Sequence, residues 1–260
     1  MFSFHRLNCE SRAKPERASA RGWSLEVNRY AMLSFFLLLS VSLCAQYADS
    51  IRYLNFKARA IKTPDQGYVP QNLPWRSEFV AGGQSGTLYA IDIVDDTTSY
   101  LSKSETDGWR RIDTIIHIGI TMYGPDKLEL PLYQLTDFNR DGFVDLVCQI
   151  ETNMNGNRWT TIYLFHPQHG GLEKLRNTAE MDAWEIWDNP EYYPADSTIH
   201  CVREASLYGI YIESTYQLRD FKAWPLEKYV EDRTSARSIS YRYYIGREGK
   251  WQQKKRRKKE

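Results

Sequence analysis

The stretch Leu132–Ile150, "LYQLTDFNRDGFVDLVCQI", decides how this chain is read. Its two ends, "YQL" and "LVCQI", are short runs of apolar and β-branched residues that suit strands. Between them, Asp137, Asn139 and Asp141 place side-chain oxygens at alternate positions, followed by Gly142 and then Asp145. Calcium takes six to eight hard oxygen ligands, commonly from a tight loop that turns alternate side chains inward. The backbone carbonyl of Phe143 supplies a further donor, and Gly142 permits the sharp turn. An EF-hand would need Glu at the twelfth position and helices on both sides. Cys148 stands at that position and strands flank the loop. The expectation is a strand–loop–strand calcium site made by Asp137, Asn139, Asp141, Phe143 and Asp145. The competing reading is a polar turn held by Asx hydrogen bonds, against which stands the mutual repulsion of three carboxylates within nine residues.

Working outward, the chain reads as strands from Thr87 to Trp251. "TLYAIDIV" (87–94) and "IDTIIHIGITMY" (112–123) are rich in β-branched and aromatic residues, and turn residues bound both. "TTIYLF" and "LEKL" flank the turn "HPQHGG" and predict a hairpin. "STIHCVRE", "YGIYIESTYQL" and "SISYRYYI" alternate as half-buried strands do, and "LEKLRNTAEMDAWEIW" is the best helical candidate. Aromatics make up 14% of the 260 residues, with eighteen Tyr and eight Trp, which favours rings packed across strands. The fold expected is all-β: a compact, small propeller-like or sandwich-like domain.

The termini read differently. Ala31–Leu43, "AMLSFFLLLSVSL", is too short to span a bilayer but suits the apolar core of a signal peptide. Residues 1–45 are therefore expected to be an export signal region, with a start codon assigned too early as one explanation of its length. A lipoprotein anchor at Cys44 is disfavoured by Leu43 directly before it, so the signal peptide is the only membrane contact expected. Residues 46–86 form a Pro-punctuated segment expected to pack on the body, residues 87–251 the all-β domain, and residues 252–260 a disordered basic tail. Setting aside the six basic and three acidic residues of 1–45 takes the net charge from +1 to −2. Without the +5 of the tail the body stands at −7. An acidic body argues against nucleic acid as a partner. In an exported chain Cys148 and Cys201 have two outcomes, a disulfide or a pair of buried thiols.

Three further constellations stand out in the sequence. Asp182, Glu185 and Asp188 alternate with aromatics in "MDAWEIWDNPEYY", the residue types of a glycan hydrolase's acid/base pair. The rings of Trp184, Trp187, Tyr192 and Tyr193 are candidates for a carbohydrate-binding platform. Packing beneath a solvated acidic bend is the plainer reading of both. His166 and His169 have a spacing open to zinc, yet no third ligand lies nearby in sequence. Ser85 in "GGQSGTLY" lacks the second glycine of a nucleophile elbow.

"LTDFNRDGFVDLV" resembles the Asp-x-Asn-x-Asp-Gly-x-x-Asp loops of FG-GAP/VCBS-type secreted proteins. The order of loop, "NGNRWTTIYLFHPQHGGLEKL", "DNPEYYPADSTIHCVRE" and "YGIYIESTYQL" resembles exported bacterial domains related to the periplasmic inhibitors of invertebrate-type lysozyme, over roughly residues 128–251. The resemblance implies a compact all-β body with calcium on Asp137, Asn139, Asp141, Asp145 and the Phe143 carbonyl. The protruding Ser-Gly-x-Tyr inhibitory loop is not carried over. "NMNGNRW" follows the calcium loop here, and the nearest match, Ser85 to Tyr89, has different spacing and precedes it. The function expected is an exported, calcium-stabilised, non-catalytic binding protein of the periplasm, cell surface or medium, whose partner is a protein or an envelope polymer. The alternative is a glycan-active enzyme or carbohydrate-binding module using the Asp182–Tyr193 segment.

Overall fold

The computed structural model describes residues 51–64, 67–83, 86–117, 121–122, 128–129, 131–152, 156–179, 185–205, 209–235 and 238–254. The expected signal region (1–45), Ser85, Asp182, Trp184 and residues 255–260 of the basic tail lie outside them. Every regular element among the described residues is a strand, so no helix there is long and apolar enough to cross a membrane.

In chain order the elements are β1 (Arg52–Tyr53), β2 (Arg59–Thr63), β3 (Gly67–Gln71), β4 (Trp75–Ala81), β5 (Thr87–Ile93), β6 (Thr98–Glu105) and β7 (Gly108–Ile116). There follow β8 (Thr121–Met122), β9 (Leu128–Glu129), β10 (Leu132–Thr136), β11 (Asp145–Thr152), β12 (Arg158–His166), β13 (Gly171–Lys174) and β14 (Arg176–Asn177). The last are β15 (Trp187–Asp188), β16 (Glu191–Tyr193), β17 (Thr198–Ala205), β18 (Ile210–Arg219), β19 (Lys222–Ser235), β20 (Ser238–Arg247) and β21 (Lys250–Gln253).

Three larger sheets carry the body. The first is the meander β4-β5-β6-β7. The middle sheet has the order β1-β10-β11-β12-β13, with β15 also paired to β12. The outer sheet runs β16-β17-β18-β19-β20-β21, and β14 joins it parallel to β19. Two-stranded hairpins β2-β3 and β8-β9 complete the set. Among the described residues no sheet closes into a barrel.

The burial of β11 and β12 explains the layering. A strand with one wet face alternates apolar and polar, whereas one covered on both faces is apolar throughout. Leu146, Val147 and Cys148 of β11 are buried in succession, as are Ile162 to Phe165 of β12. Leu146, Cys148, Tyr163 and Phe165 face the first sheet and pack with Tyr89, Ile91, Ile93 and Leu101. Val147, Ile162 and Leu164 face the other way and pack with Ile199, Cys201, Tyr216 and Ala223 of the outer sheet. Two cores thus sandwich the middle sheet, and each fully buried Leu or Ile contributes about 1.5–3 kcal/mol. The fold is all-β and sandwich-like.

The segment before Thr87 supplies strands and core. β4 pairs with β5 from Trp75↔Ile93 to Ala81↔Thr87. Phe56, Trp75, Phe79 and Ala81 lie in the first core. Sequence periodicity misled in one place: the helical candidate beginning at Leu172 has no helix among its described residues, which form β13, β14, the start of β15 and irregular connections. Leu172 and Leu175 fill core positions there, and β pairing overrides the weak helical stripe.

Candidate metal centre

The expected calcium loop leaves β10 at Thr136 and enters β11 at Asp145. Its turn needs two left-handed residues, Arg140 (φ 59°) and Gly142 (φ 89°). Asn139, Arg140 and Asp141 sit at the surface while Asp137 and Asp145 are buried. The carboxylate of Asp137 accepts the backbone N–H groups of Asp141 (3.0 Å) and Gly142 (2.9 Å). Asn139 Oδ1 accepts the Asp141 N–H at 3.3 Å, and Asp141 Oδ1 accepts the Phe143 N–H at 3.0 Å. Asn139 Nδ2 donates to Asp141 Oδ2 at 2.8 Å. The Asx hydrogen bonds of the plainer reading are therefore present.

They leave acceptor lone pairs for a cation. A carboxylate oxygen carries two lone pairs, and one backbone N–H occupies only one of them. The donors are hard oxygens, which suits calcium chemically. Burial raises the Asp137 carboxyl above its ordinary range, and the nearby Asp141 charge adds to this against the opposing backbone hydrogen bonds. Burial pushes Asp145 well above that range, with Asp141 and Asp137 adding to it. A bound cation would relieve both costs.

Asp145 has a second role that the spacing did not reveal. It is fully buried, its Oδ2 accepts the Phe138 N–H at 2.9 Å, and its Oδ1 accepts the Phe165 N–H at 2.7 Å. One carboxylate thereby ties the start of the loop to β12. Ring packing of Phe143 on Phe165, 5.5 Å between centroids, reinforces the tie. Gly82 fixes the loop from the other side through hydrogen bonds with Val144, N to O at 3.0 Å and O to N at 3.3 Å. A Cβ at Gly82 would stand 2.6 Å from Phe165 Cζ, and its φ is 89°.

Among the described residues of the acidic aromatic segment, Glu185 and Asp188 do not meet in one site. Glu185 pairs with Lys174 (3.5 Å) and Arg176 (3.3 Å), in a concavity lined by Asp113 and Tyr163. Asp188 pairs with Arg203 at 2.6 Å, in a different concavity beside Cys201 and Lys228. Trp187 is 2% exposed and packs edge-on against Tyr216 in the second core. Tyr192 packs on Phe138, and only Tyr193 is exposed. Of the platform expected from Trp184, Trp187, Tyr192 and Tyr193, Trp187 and Tyr192 are packed against other rings and Tyr193 is exposed. Asp182 and Trp184 lie outside the described residues.

The cysteines divide between the two cores, Cys148 in the first and Cys201 in the second, and no disulfide joins them. Their side chains belong to opposite faces of the middle sheet, and of the two outcomes left open the structure has the buried thiols.

Two features were missed in sequence. The first is a third metal ligand beside the histidine pair: Glu173, from β13, reaches His169. The second is a tyrosine face on the outer sheet. Tyr211, Tyr229, Tyr241 and Tyr243 share it, with Tyr229 5.1 Å from Tyr243 and 6.1 Å from Tyr241 between ring centroids. Tyr241 and Tyr243 are exposed, as is Ile239. The period-2 spacing of Ile239, Tyr241 and Tyr243 was the available signal.

No family model matches the chain, and no curated protein matches it. Among solved structures, one described as a Xanthomonas type IV secretion system related protein is similar. The TM-score is 0.39 and the identity 15%, over 76% of this chain and 99% of that chain. A likeness that loose carries no argument about function.

Proposed function

We propose that this is an exported, non-catalytic binding protein of the cell envelope whose loop Asp137–Asp145 is held by calcium. The observation that carries the calcium reading is the pair of buried carboxylates, Asp137 and Asp145, beside the surface donors Asn139 and Asp141. The residues that would hold the ion are Asp137, Asn139, Asp141, Asp145 and the Phe143 carbonyl. The ion's role is structural, neutralising the carboxylates and stabilising the fold by mass action. Export rests on the signal-peptide pattern of residues 31–43. The relation to lysozyme-inhibitor-like domains rests on the order of segments over 128–251 and does not extend to an inhibitory loop.

The surface offered for binding is the tyrosine face of the outer sheet. Tyrosine supplies rigid amphipathic contact area at low entropic cost. Glu213 and Glu231 stand opposite Tyr229 and Tyr211 across β18 and β19, so carboxylates interleave with the rings. Such a face fits a protein partner with exposed Lys or Arg, through cation–π contacts and charge pairing. A pull-down from envelope extract with immobilised protein, parent against Tyr241→Ser/Tyr243→Ser, tests the assignment. A discrete protein retained by the parent and lost by the variant is the expected result. Equal retention by both, or none by either, overturns it.

A further inference from the structure

The tip of the β12–β13 hairpin gathers a second, chemically different set of ligands. His166 ends β12, His169 lies in the turn and Glu173 belongs to β13. Among the described residues, these are the one group of three His, Cys, Asp or Glu side chains whose ligand atoms all lie within 4.8 Å of one another. Register explains the convergence. Gly171 pairs with His166 and Glu173 with Leu164. Cross-strand partners and positions two apart share a face, so the His166 and Glu173 side chains project from the same side. The turn then folds His169 back over His166.

The hairpin tip is held in place from both sides. The Gly170 carbonyl accepts hydrogen bonds from Thr87 Oγ1 (3.1 Å) and Lys103 Nζ (3.2 Å). The Leu172 N–H donates to the Tyr89 hydroxyl at 2.9 Å. The His166 ring is sandwiched between His169, at 3.8 Å between centroids, and Phe221 at 3.9 Å. His166 Nδ1 is buried and has no hydrogen-bond partner, which is unusual for a buried polar atom. His169 Nδ1 bonds to Glu173 Oε1.

We propose that His166, His169 and Glu173 bind a divalent transition-metal ion of the Zn2+ class. Two imidazoles and one carboxylate form the ligand set that zinc takes in open, three-ligand sites, with the fourth position left to water or to a partner's side chain. Calcium is not the ion here, because it needs six to eight oxygen ligands. The two imidazole rings lie nearly parallel, 14° apart, so their lone pairs lie in parallel planes and one ring must turn for both to reach a single ion. On binding, His169, whose side chain is 61% exposed, turns towards the ion, while Phe221 keeps His166 in plane. The ion replaces any proton on the ligating imidazole nitrogens, and that proton leaves to solvent.

The test is a Zn2+ titration of the full untagged chain, in excess calcium, against a chromophoric zinc chelator. His169→Ala and Glu173→Gln are the informative variants, since the His169 side chain is exposed and the Glu173 one half-exposed, and both can change with the fold intact. The expected result is one Zn2+ per chain in the parent, with affinity falling at least about 10- to 100-fold in each variant. Circular dichroism and melting should match the parent. An absence of competition by the parent overturns the proposal. So does equal affinity in parent and variants, which places the ion elsewhere, or stoichiometric displacement of zinc by calcium, which places it in the Asp137–Asp145 loop.

Discussion

The Asp145 carboxylate accepts the backbone N–H of Phe165 at 2.7 Å, inside the core and twenty residues away in sequence. The same carboxylate takes the Phe138 N–H at 2.9 Å, so the loop and β12 are joined through one side chain. Asp145→Ala removes both acceptors and leaves a buried donor at Phe165 unsatisfied. The expected cost is about 3–5 kcal/mol in chelator, measured by urea unfolding. Asp145→Asn offers one carbonyl oxygen for two N–H groups and should cost about 1–3 kcal/mol. Asn139→Ala, at the surface, should cost about 1 kcal/mol or less without calcium. A loss for Asp145→Ala as small as that for Asn139→Ala would remove the staple.

Gly82 meets the same structure from the opposite side. Its left-handed φ and the 2.6 Å approach of a built Cβ to Phe165 Cζ leave no room for a side chain. Gly82→Ala is expected to lower stability by about 2–4 kcal/mol, read as a shift in the urea midpoint at unchanged slope. An unchanged midpoint would mean that the Gly82–Val144 bridge and the Phe165 ring do not define the packing.

The calcium effect should depend on pH in a set direction. Burial raises the Asp137 carboxyl above its ordinary 3.8, and burial raises Asp145 well above it. A raised carboxyl favours the protonated form in the folded chain, so the ion-free protein loses stability as pH climbs above about 4 through those raised values. Calcium offsets that loss. The gain in melting temperature on adding calcium should be largest near neutral pH and should vanish below the ordinary aspartate range. An equal gain at pH 4 and pH 7 would contradict the buried-carboxylate origin.

His117 shows the opposite sign. It is buried, its Nε2 lies 3.0 Å from Ser99 Oγ, and desolvation pulls its ring below the ordinary 6.5 against the opposing field of Asp95. An unfolded chain then binds the proton more readily than the folded one. The stability this group contributes is complete above pH 6.5 and is lost as pH falls through the lowered value. NMR titration of the His117 ring should give a midpoint below 6.5; a midpoint at or above it would place the ring in contact with water.

Much of the β architecture was legible in the chain because strands carry their burial as a local pattern. The continuous apolar runs of β11 and β12 matched a sheet covered on both faces, and "HPQHGG" gave its hairpin. What local pattern could not carry was partnership across sequence. The spacing of the loop named Asp145 as a ligand but held no sign of Phe165. "HPQH" offered two histidine ligands, while the third ligand, Glu173, depended on the register between β12 and β13. The sequence left Trp187 and Tyr192 between a surface platform and packing under an acidic bend, because the rings that cover them, Tyr216 of β18 and Phe138 of the calcium loop, are distant in sequence. The tyrosine face arises only when β18, β19 and β20 align.

The calcium loop itself is tested most directly by thermal unfolding of the full chain, stripped with chelator and then returned to saturating calcium. At about 100 times the dissociation constant the ion contributes about 2.7 kcal/mol. For a body of this size that raises the midpoint by roughly 5–10 °C. The rise should be absent in Asp137→Ala/Asp141→Ala. A midpoint that does not move in fully stripped parent protein, or one that moves equally in the variant, would contradict calcium binding by Asp137–Asp145.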